Sequence, residues 1–205
     1  MARIPVPPQA ADTMTAAQLA RRDRVLDAVI ELVAAGRVED LGMKDVADRS
    51  GVALGTIYRY FSSKDHMAAA ALAAWARSLD GGPLAWPDGA TMTERLVAIL
   101  RRAVRAYQRQ PAFARLLIVA ANSTDPFASE CYREMGEGVY RALGTALDGL
   151  GAEDRHRLLE VVGPVWYHAL VEWVNDRKTI AQVYDAVENA ARLVMAGFEA
   201  RSSVS

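Results

Sequence analysis

Residues 46–64 read VADRSGVALGTIYRYFSSK, and this stretch spans the junction of two short helical patterns. The first pattern begins at Met43 and is predicted to break at Gly51, because glycine adopts a left-handed backbone at no steric cost. The second pattern covers residues 54–60. Two short helices joined by a glycine-containing turn form a helix-turn-helix, in which the second helix lies in the major groove of DNA. The stretch therefore predicts a DNA-binding unit near the start of the chain.

The side chains of this stretch divide into two sets. The apolar set has the spacing of a three-helix core and comprises Val46, Ala47, Val52, Ile57 and Phe61. The other set is predicted to face outward and comprises Gly55, Thr56, Tyr58, Arg59 and Tyr60. Tyrosine and arginine on a short exposed helix suit phosphates and base edges. Residues 49–64 also contain Arg49, Arg59 and Lys64 but no acidic residue, so attraction to phosphate is expected here.

In order and spacing, residues 46–64 resemble the DNA-binding signature of the TetR family of transcriptional repressors. The resemblance is strong over residues 15–80, and the remainder is similar in its helical layout. It implies phosphate contacts from Tyr58, Tyr60 and Lys64. It implies that the residues near base edges are Leu54, Gly55, Thr56 and Arg59, and Lys44 and Ala53 complete the expected DNA-contacting set. The chain departs from the family pattern at Met43, where a hydroxyl residue commonly opens the second helix, and at Ala53, where serine usually caps the third.

The rest of the chain is also predicted to be helical. It contains 38 alanines in total, its apolar positions recur every three or four residues, and no stretch alternates with a period of two. Capping boxes are predicted at Thr15 and Thr91, and Asp125 precedes a proline as a helix cap does. The sequence thus predicts an all-α fold of about nine helices. Its expected parts are a flexible arm (1–14), a helix-turn-helix domain (15–62) and a ligand-binding and dimerisation domain (63–205).

Composition excludes several classes of protein. The chain has 205 residues, 24 basic against 25 acidic side chains and a formal net charge of -1, which argues against histone-like coating of DNA. The longest apolar run, residues 67–76, is ten residues long, whereas a membrane span needs roughly 20. Cys131 is the only cysteine, so no intrachain disulfide can form. A cytoplasmic protein without a membrane partner is therefore predicted.

Large apolar side chains from several helices predict an effector pocket. Trp166, Leu170 and Trp173 share one helical face. The expected lining further includes Leu72, Trp75, Tyr107, Phe113, Leu116 and Leu117. Ordinary core packing would account for most of these residues. The family resemblance implies a pocket whose ligand releases the protein from DNA. Within the family, residues 53–66 are most similar to repressors of sterol and lipid catabolism, which puts lipids and acyl-CoA thioesters among the candidate effectors.

Two apolar faces near the end of the chain predict a homodimer. The last helix carries one stripe, made of Ile180, Val183, Tyr184, Val187, Ala191, Val194 and Phe198. The preceding helix offers Val161, Val165 and His168 on one side. Pairing of both helices with their symmetry mates would give an isologous interface and match a palindromic operator, as the resemblance also implies. The alternative is that both stripes are buried within one subunit.

The leading hypothesis is a ligand-responsive repressor that binds double-stranded operator DNA and is released by a small apolar effector. One alternative is a DNA-organising protein of the same fold without a ligand switch. The other is an enzyme that uses His168 and Glu172, which are four residues apart and lack an evident third partner. No nucleotide-binding or nucleophile-elbow motif occurs, so neither a cofactor nor a metal is expected.

Overall fold

A computed structural model describes residues 7–39, 41–79 and 86–202, with backbone only at 141, 142, 145, 201 and 202. These residues form nine α-helices, a short 3-10 helix (Ala11–Thr13) and no strand. The α-helices are α1 (Ala16–Ala34), α2 (Met43–Ser50), α3 (Leu54–Tyr60), α4 (Lys64–Ser78), α5 (Met92–Arg109), α6 (Pro111–Ala121), α7 (Pro126–Ala146), α8 (Ala152–Val174) and α9 (Ile180–Ser202). The predicted all-α fold is confirmed.

Helix ends follow the local chemistry of the sequence. Thr15 and Thr91 each form the predicted capping box, in which the threonine accepts a backbone N–H and a side chain three residues on returns the bond. Gly51 ends α2 with a left-handed backbone at φ 65°. Asp125 caps α7 by accepting the N–H groups of Phe127 and Ala128 at 2.8 and 3.2 Å.

The helices divide into two compact units. The first consists of Met1–Asp80 and Arg115–Met135, and the second of Gly81–Ala114 and Gly136–Ser205. In the first unit α1 packs against α2, α3 and α4, and in the second α9 packs against α5 and α8. Helix α4 thus packs in the same unit as the helix-turn-helix. The domain boundary predicted at 62/63 divides the chain by function and stays a prediction.

The segment before α1 contacts α3, the second helix of the helix-turn-helix and its predicted recognition helix. The backbone N–H of Gln9 donates to the carbonyl oxygen of Arg59, at the end of α3, with a distance of 2.9 Å. Met14 is buried. Residues 1–6 of the predicted arm lie outside the described residues. The described part of the arm, residues 7–14, is therefore linked to α3 by a backbone hydrogen bond.

None of the helices in the described ranges combines the length and the apolar character that a membrane span requires.

Candidate nucleic-acid interface

Helix α3 presents one face to solvent and buries the other. Tyr58 is 53% exposed and Leu54 40% exposed, while Ile57 is fully buried. Exposed positions also include Ala53, Gly55 and Arg59, and Thr56 is half-buried. These residues belong to the set that the sequence predicted to contact DNA. The structure brings them together on one surface of a single short helix.

Tyr60 is a correction to the predicted interface. Its side chain was expected to face outward and to hold a phosphate, but only 2% of the residue is exposed. The reason is helical geometry, because Tyr60 lies three residues after Ile57 and therefore on the same, buried face of α3. Tyr60 anchors the recognition helix to the core of the first unit, and the expected outward orientation is wrong.

The two departures from the family pattern have structural counterparts. Gly42 is the N-cap of α2 and Ala53 is the N-cap of α3, and neither cap makes a side-chain hydrogen bond within the described residues. The turn between the helices is instead fixed by Gly51 and by Ser50, whose hydroxyl oxygen accepts the N–H of Val52 at 3.3 Å.

Positive charge at the interface is carried by fewer residues than the sequence suggested. Arg49 is paired with Glu31 of α1, with its Nε 2.7 Å from the carboxylate. Its charge is thereby largely balanced. Lys44, Arg59 and Lys64 are exposed. Lys64 donates from Nζ to the backbone carbonyl of Glu39 at 3.3 Å, an exposed bond that leaves the ammonium able to meet an anion.

Gly55 leaves open space on the exposed face of α3. Apart from its chain neighbours and the backbone of α3, a Cβ atom built at this position would meet no atom of the described residues within 4 Å. The backbone of α3 can therefore approach another surface closely at this point.

The turn between α3 and α4 is held by hydrogen bonds to a buried histidine. Ser63 caps α4 by accepting the N–H of His66 at 3.0 Å. The Nδ1 atom of His66 accepts the backbone N–H of Ser62 at 3.1 Å. The imidazole lies edge-on to Phe61 and stacks on Phe127, at centroid distances of 5.4 and 5.5 Å. Burial lowers the pKa of His66 to about 4, against the opposing charge of Asp125, so the ring is neutral at physiological pH.

The predicted effector residues are distributed over both units. In the first unit Leu72, Trp75, Leu116 and Leu117 are buried; in the second Tyr107, Phe113 and Leu170 are buried, and Trp166 and Trp173 are half-buried. Within the second unit, the rings of Tyr107 and Trp166 meet edge-to-face at 5.4 Å. The Nε1 atom of Trp166 is buried and has no hydrogen-bond partner among the described residues. A surface groove at the start of α5 is lined by other residues, among them Trp86, Arg95 and Ala98.

The prediction of a dimer contact is corrected for four residues, because they are buried within the single subunit. Val183, Val187, Ala191 and Phe198 lie in the core of the second unit, where α9 packs against α5 and α8. A hydrophobic stripe has the same spacing whether it meets its own chain or a second subunit, so the pattern alone did not distinguish them. Of the other predicted residues, Val161 is 50% exposed, His168 is exposed, and Val165, Ile180, Tyr184 and Val194 are half-buried.

Exposed apolar surface on α9 lies on a different face, which the spacing of the apolar stripe did not indicate. Leu193 is 75% exposed, and Ala186, Ala190 and Gly197 share its face at spacings of three and four residues. The hydroxyl of Tyr184, by contrast, donates to Gln108 of α5 at 2.9 Å within the same unit. The small residues around Leu193 would allow another helix to approach closely.

Glu172, which the enzyme alternative pairs with His168, is held by a local contact. Glu172 pairs with Arg177 at 2.7 Å, and this hydrogen bond lowers the pKa of the carboxyl. Burial raises the pKa of the Cys131 thiol to about 11, as expected for an unreactive cysteine. Among the described residues, no group of histidine, cysteine, aspartate or glutamate could hold a metal ion.

Two family models match the chain. Residues 25–71 match the model described as bacterial regulatory proteins, tetR family, and residues 89–194 match the model described as tetracyclin repressor-like, C-terminal domain. Together they include all of the helix-turn-helix and most of the second unit.

Three relatives bear the name HTH-type transcriptional repressor KstR. The protein from Rhodococcus jostii is 33% identical over 185 residues, which is 90% of this chain and 87% of that protein. The Mycolicibacterium smegmatis protein is 32% identical, covering 87% of this chain and 89% of its own length. The Mycobacterium tuberculosis protein is 31% identical, with coverage of 87% and 82%.

Solved structures agree with these matches. A TetR transcriptional regulator from Rhodococcus sp. RHA1 superposes with a TM-score of 0.77 at 26% identity, covering 87% of this chain and 96% of that one. A second structure, from Mesorhizobium loti, is 14% identical with a TM-score of 0.51 over 89% of this chain and 98% of that one, and shares the fold.

Proposed function

This chain belongs to the TetR family of transcriptional regulators and is a repressor of that family, as residues 46–64 predicted; from this we propose that it binds a palindromic operator as a homodimer and that a small apolar effector releases it. The observation that carries the DNA-binding part is the exposed face of α3, with Leu54, Gly55, Tyr58 and Arg59, together with the exposed Lys64 at the start of α4. Because the family is one of regulators, the enzyme alternative based on His168 and Glu172 is set aside.

The DNA contacts are proposed to fall into two classes. Tyr58, Lys44 and Lys64 bind phosphates, which fixes the orientation of the protein without reading sequence. Thr56 and Arg59 lie nearest the base edges in the major groove, where an arginine recognises guanine through two acceptors. Gly55 allows the backbone of α3 to approach the groove.

Lys64→Ala tests the phosphate contacts. A duplex is first selected from a random-sequence library with the wild-type protein, and binding is then measured by fluorescence anisotropy at several salt concentrations. The variant should reduce the magnitude of the salt slope by about one unit for each subunit bound, because one fewer phosphate is neutralised. Lys178→Ala, in the turn before α9, is the matched control. Equal salt slopes for Lys64→Ala and the control would contradict the assignment.

Arg59→Ala tests sequence recognition on the same selected duplex. The variant should lose roughly 1 to 3 kcal/mol of preference at one base position while it retains binding to unrelated DNA. A uniform loss over all sequences would instead make Arg59 a phosphate contact.

The dimer is proposed to form through α8 and a second face of α9. Val161, Val165 and His168 recur on α8 at spacings of four and three residues, and Leu193 provides the large apolar group on α9. A two-fold pair of short recognition helices would meet the two halves of a palindrome.

The effector is proposed to be apolar, with fatty acids, sterols and acyl-CoA thioesters as the classes to examine first. The support is the set of large apolar and aromatic side chains in the second unit, which includes Phe113, Leu170 and Trp173. Each class is added to the protein bound to the selected duplex, and release is followed by anisotropy. Trp173→Ala should bind the duplex normally and require more effector for release. Binding that no compound reverses would favour the DNA-organising alternative.

A further inference from the structure

Asp125, in the turn between α6 and α7, uses its two carboxylate oxygens for different purposes. Oδ1 accepts the backbone N–H groups of Phe127 and Ala128 and so caps α7. Oδ2 accepts the hydroxyl of Ser62 at 3.1 Å, and the hydroxyl of Ser63 also bonds to this carboxylate. Burial works against ionisation of Asp125, but these four bonds together hold its pKa below the usual value. One half-buried carboxylate therefore joins the starts of α4 and α7.

Two further contacts join the same pair of segments within the first unit. The hydroxyl of Ser123, also in the α6–α7 turn, donates to Oδ2 of Asp65 at 2.8 Å. Phe127, in the first turn of α7, stacks on His66 of α4. The segment 62–66 is thus held by two hydrogen-bonded groups of the α6–α7 turn and by one ring contact from the first turn of α7.

The segment 62–66 connects the recognition helix to α4. It follows Phe61 directly and contains Lys64, which is proposed above to bind phosphate. Asp125 is not in the proposed DNA-contacting set, and it is 63 residues distant from Ser62 in sequence. Apart from long-range electrostatics, an effect of this carboxylate on DNA binding would pass through the serines that it holds.

We propose that Asp125 is a positioning residue for operator binding: by holding Ser62 and Ser63 it fixes the turn between α3 and α4, so that α3 and Lys64 meet the DNA together. The proposal rests on the DNA-binding function proposed above. It makes the α6–α7 turn part of the machinery that sets operator affinity. The direction of the change in operator affinity is diagnostic. Removing a negative charge would by electrostatics alone strengthen binding to DNA, whereas loss of positioning weakens it.

Asp125→Ser separates the two roles of the carboxylate. Serine caps a helix about as well as aspartate but is too short to bridge to Ser62. On the duplex selected with wild-type protein, affinity should fall about tenfold or more, because the loss of a single charge-assisted hydrogen bond already has that effect and this variant loses the bonds to both serines. The salt slope should not change, because no phosphate contact is removed. Asp148→Ser, which removes the same charge from an exposed aspartate paired with Arg95, is the matched control and should bind normally.

Ser62→Ala and Asp125→Asn complete the test. Ser62→Ala removes one of the two serine bonds and leaves the cap of α7 intact, so its affinity should fall in the same direction as in Asp125→Ser but by less. Adding Ser62→Ala to Asp125→Ser should cause no further loss, because the carboxylate that held Ser62 is already gone. Asp125→Asn should retain most of the wild-type affinity that Asp125→Ser loses, because the asparagine amide can donate to the Ser62 hydroxyl oxygen. If Asp125→Ser fails to fold, the comparison of Ser62→Ala with wild type decides the question.

Three outcomes are distinguishable. Wild-type affinity in both Asp125→Ser and Ser62→Ala, with Lys64→Ala impaired, would overturn the positioning role and leave the DNA-binding function standing. Additive losses in the double variant would also overturn it. Failure of the wild-type protein to enrich any duplex would overturn the DNA-binding function itself and the positioning role with it.

Discussion

Leu193→Glu should convert the protein to a monomer while its helices remain folded. Leu193 is the most exposed of the large apolar residues that the structure describes, with 75% of its surface open in the single chain. If the proposed interface forms, two-fold symmetry buries two copies of it. A carboxylate in the same position would be buried without a partner, which is strongly unfavourable.

The size of the effect follows from the exposed surface. Burying a whole leucine side chain contributes about 1.5 to 3 kcal/mol, so the exposed three quarters contribute about 1.5 kcal/mol in each subunit. Two copies give about 3 kcal/mol, which corresponds to a dissociation constant raised about 100-fold. Desolvation of the two carboxylates adds to this loss, so the estimate is a lower bound.

Sedimentation velocity over a dilution series measures the dissociation constant, and circular dichroism at each concentration checks that helicity is retained. Val119→Glu is the control, because Val119 is 39% exposed and lies in the first unit. Operator affinity should fall together with dimerisation. A Leu193→Glu protein that dimerises as tightly as wild type would refute the interface, whatever its effect on DNA binding.

Three further outcomes are expected. Because His66 is buried in its neutral form, the unfolded chain binds a proton between pH 6.5 and about 4 that the folded chain does not. The free energy of unfolding should therefore fall as the pH is lowered through this window. Measured by urea denaturation, this loss should be about 2 kcal/mol larger in wild type than in His66→Asn. Cys131 should react slowly with iodoacetamide at pH 7.5 in folded protein and rapidly in urea, and equal rates would contradict its raised pKa. Val187→Glu should unfold the second unit rather than merely separate subunits, with a loss of helical circular dichroism that Leu193→Glu does not show.

Helix boundaries could be predicted well wherever a local chemical group defines them. The break at Gly51 and the caps at Thr15 and Thr91 depend on residues within four positions of the helix end, and the sequence contains that information directly. The exposed side of α3 was harder to predict. Tyr60 has the polar hydroxyl of a DNA-contacting residue, but its position three residues after Ile57 places it in the core.

Long-range partners could not be predicted from local patterns. Asp125 was recognisable as the cap of α7, whereas its bond to Ser62 depends on how distant parts of the chain fold together. The stripe on α9 was similarly visible as an apolar face, but the choice between its own subunit and a second one depends on the positions of α5 and α8. Leu193 lies outside that stripe, and only its exposure in the folded chain distinguishes it.

The vacant space beside Gly55 has an evolutionary consequence. Because a Cβ added there would meet no atom beyond its own helix backbone and chain neighbours in the described part of the protein, substitution by alanine should not damage the fold, and replacing glycine by alanine in a helix gains roughly 0.5 to 1 kcal/mol. Ile57 and Tyr60 keep the helix anchored while this position varies. A single codon change could therefore give a daughter repressor a new DNA preference after gene duplication, without an intermediate that fails to fold.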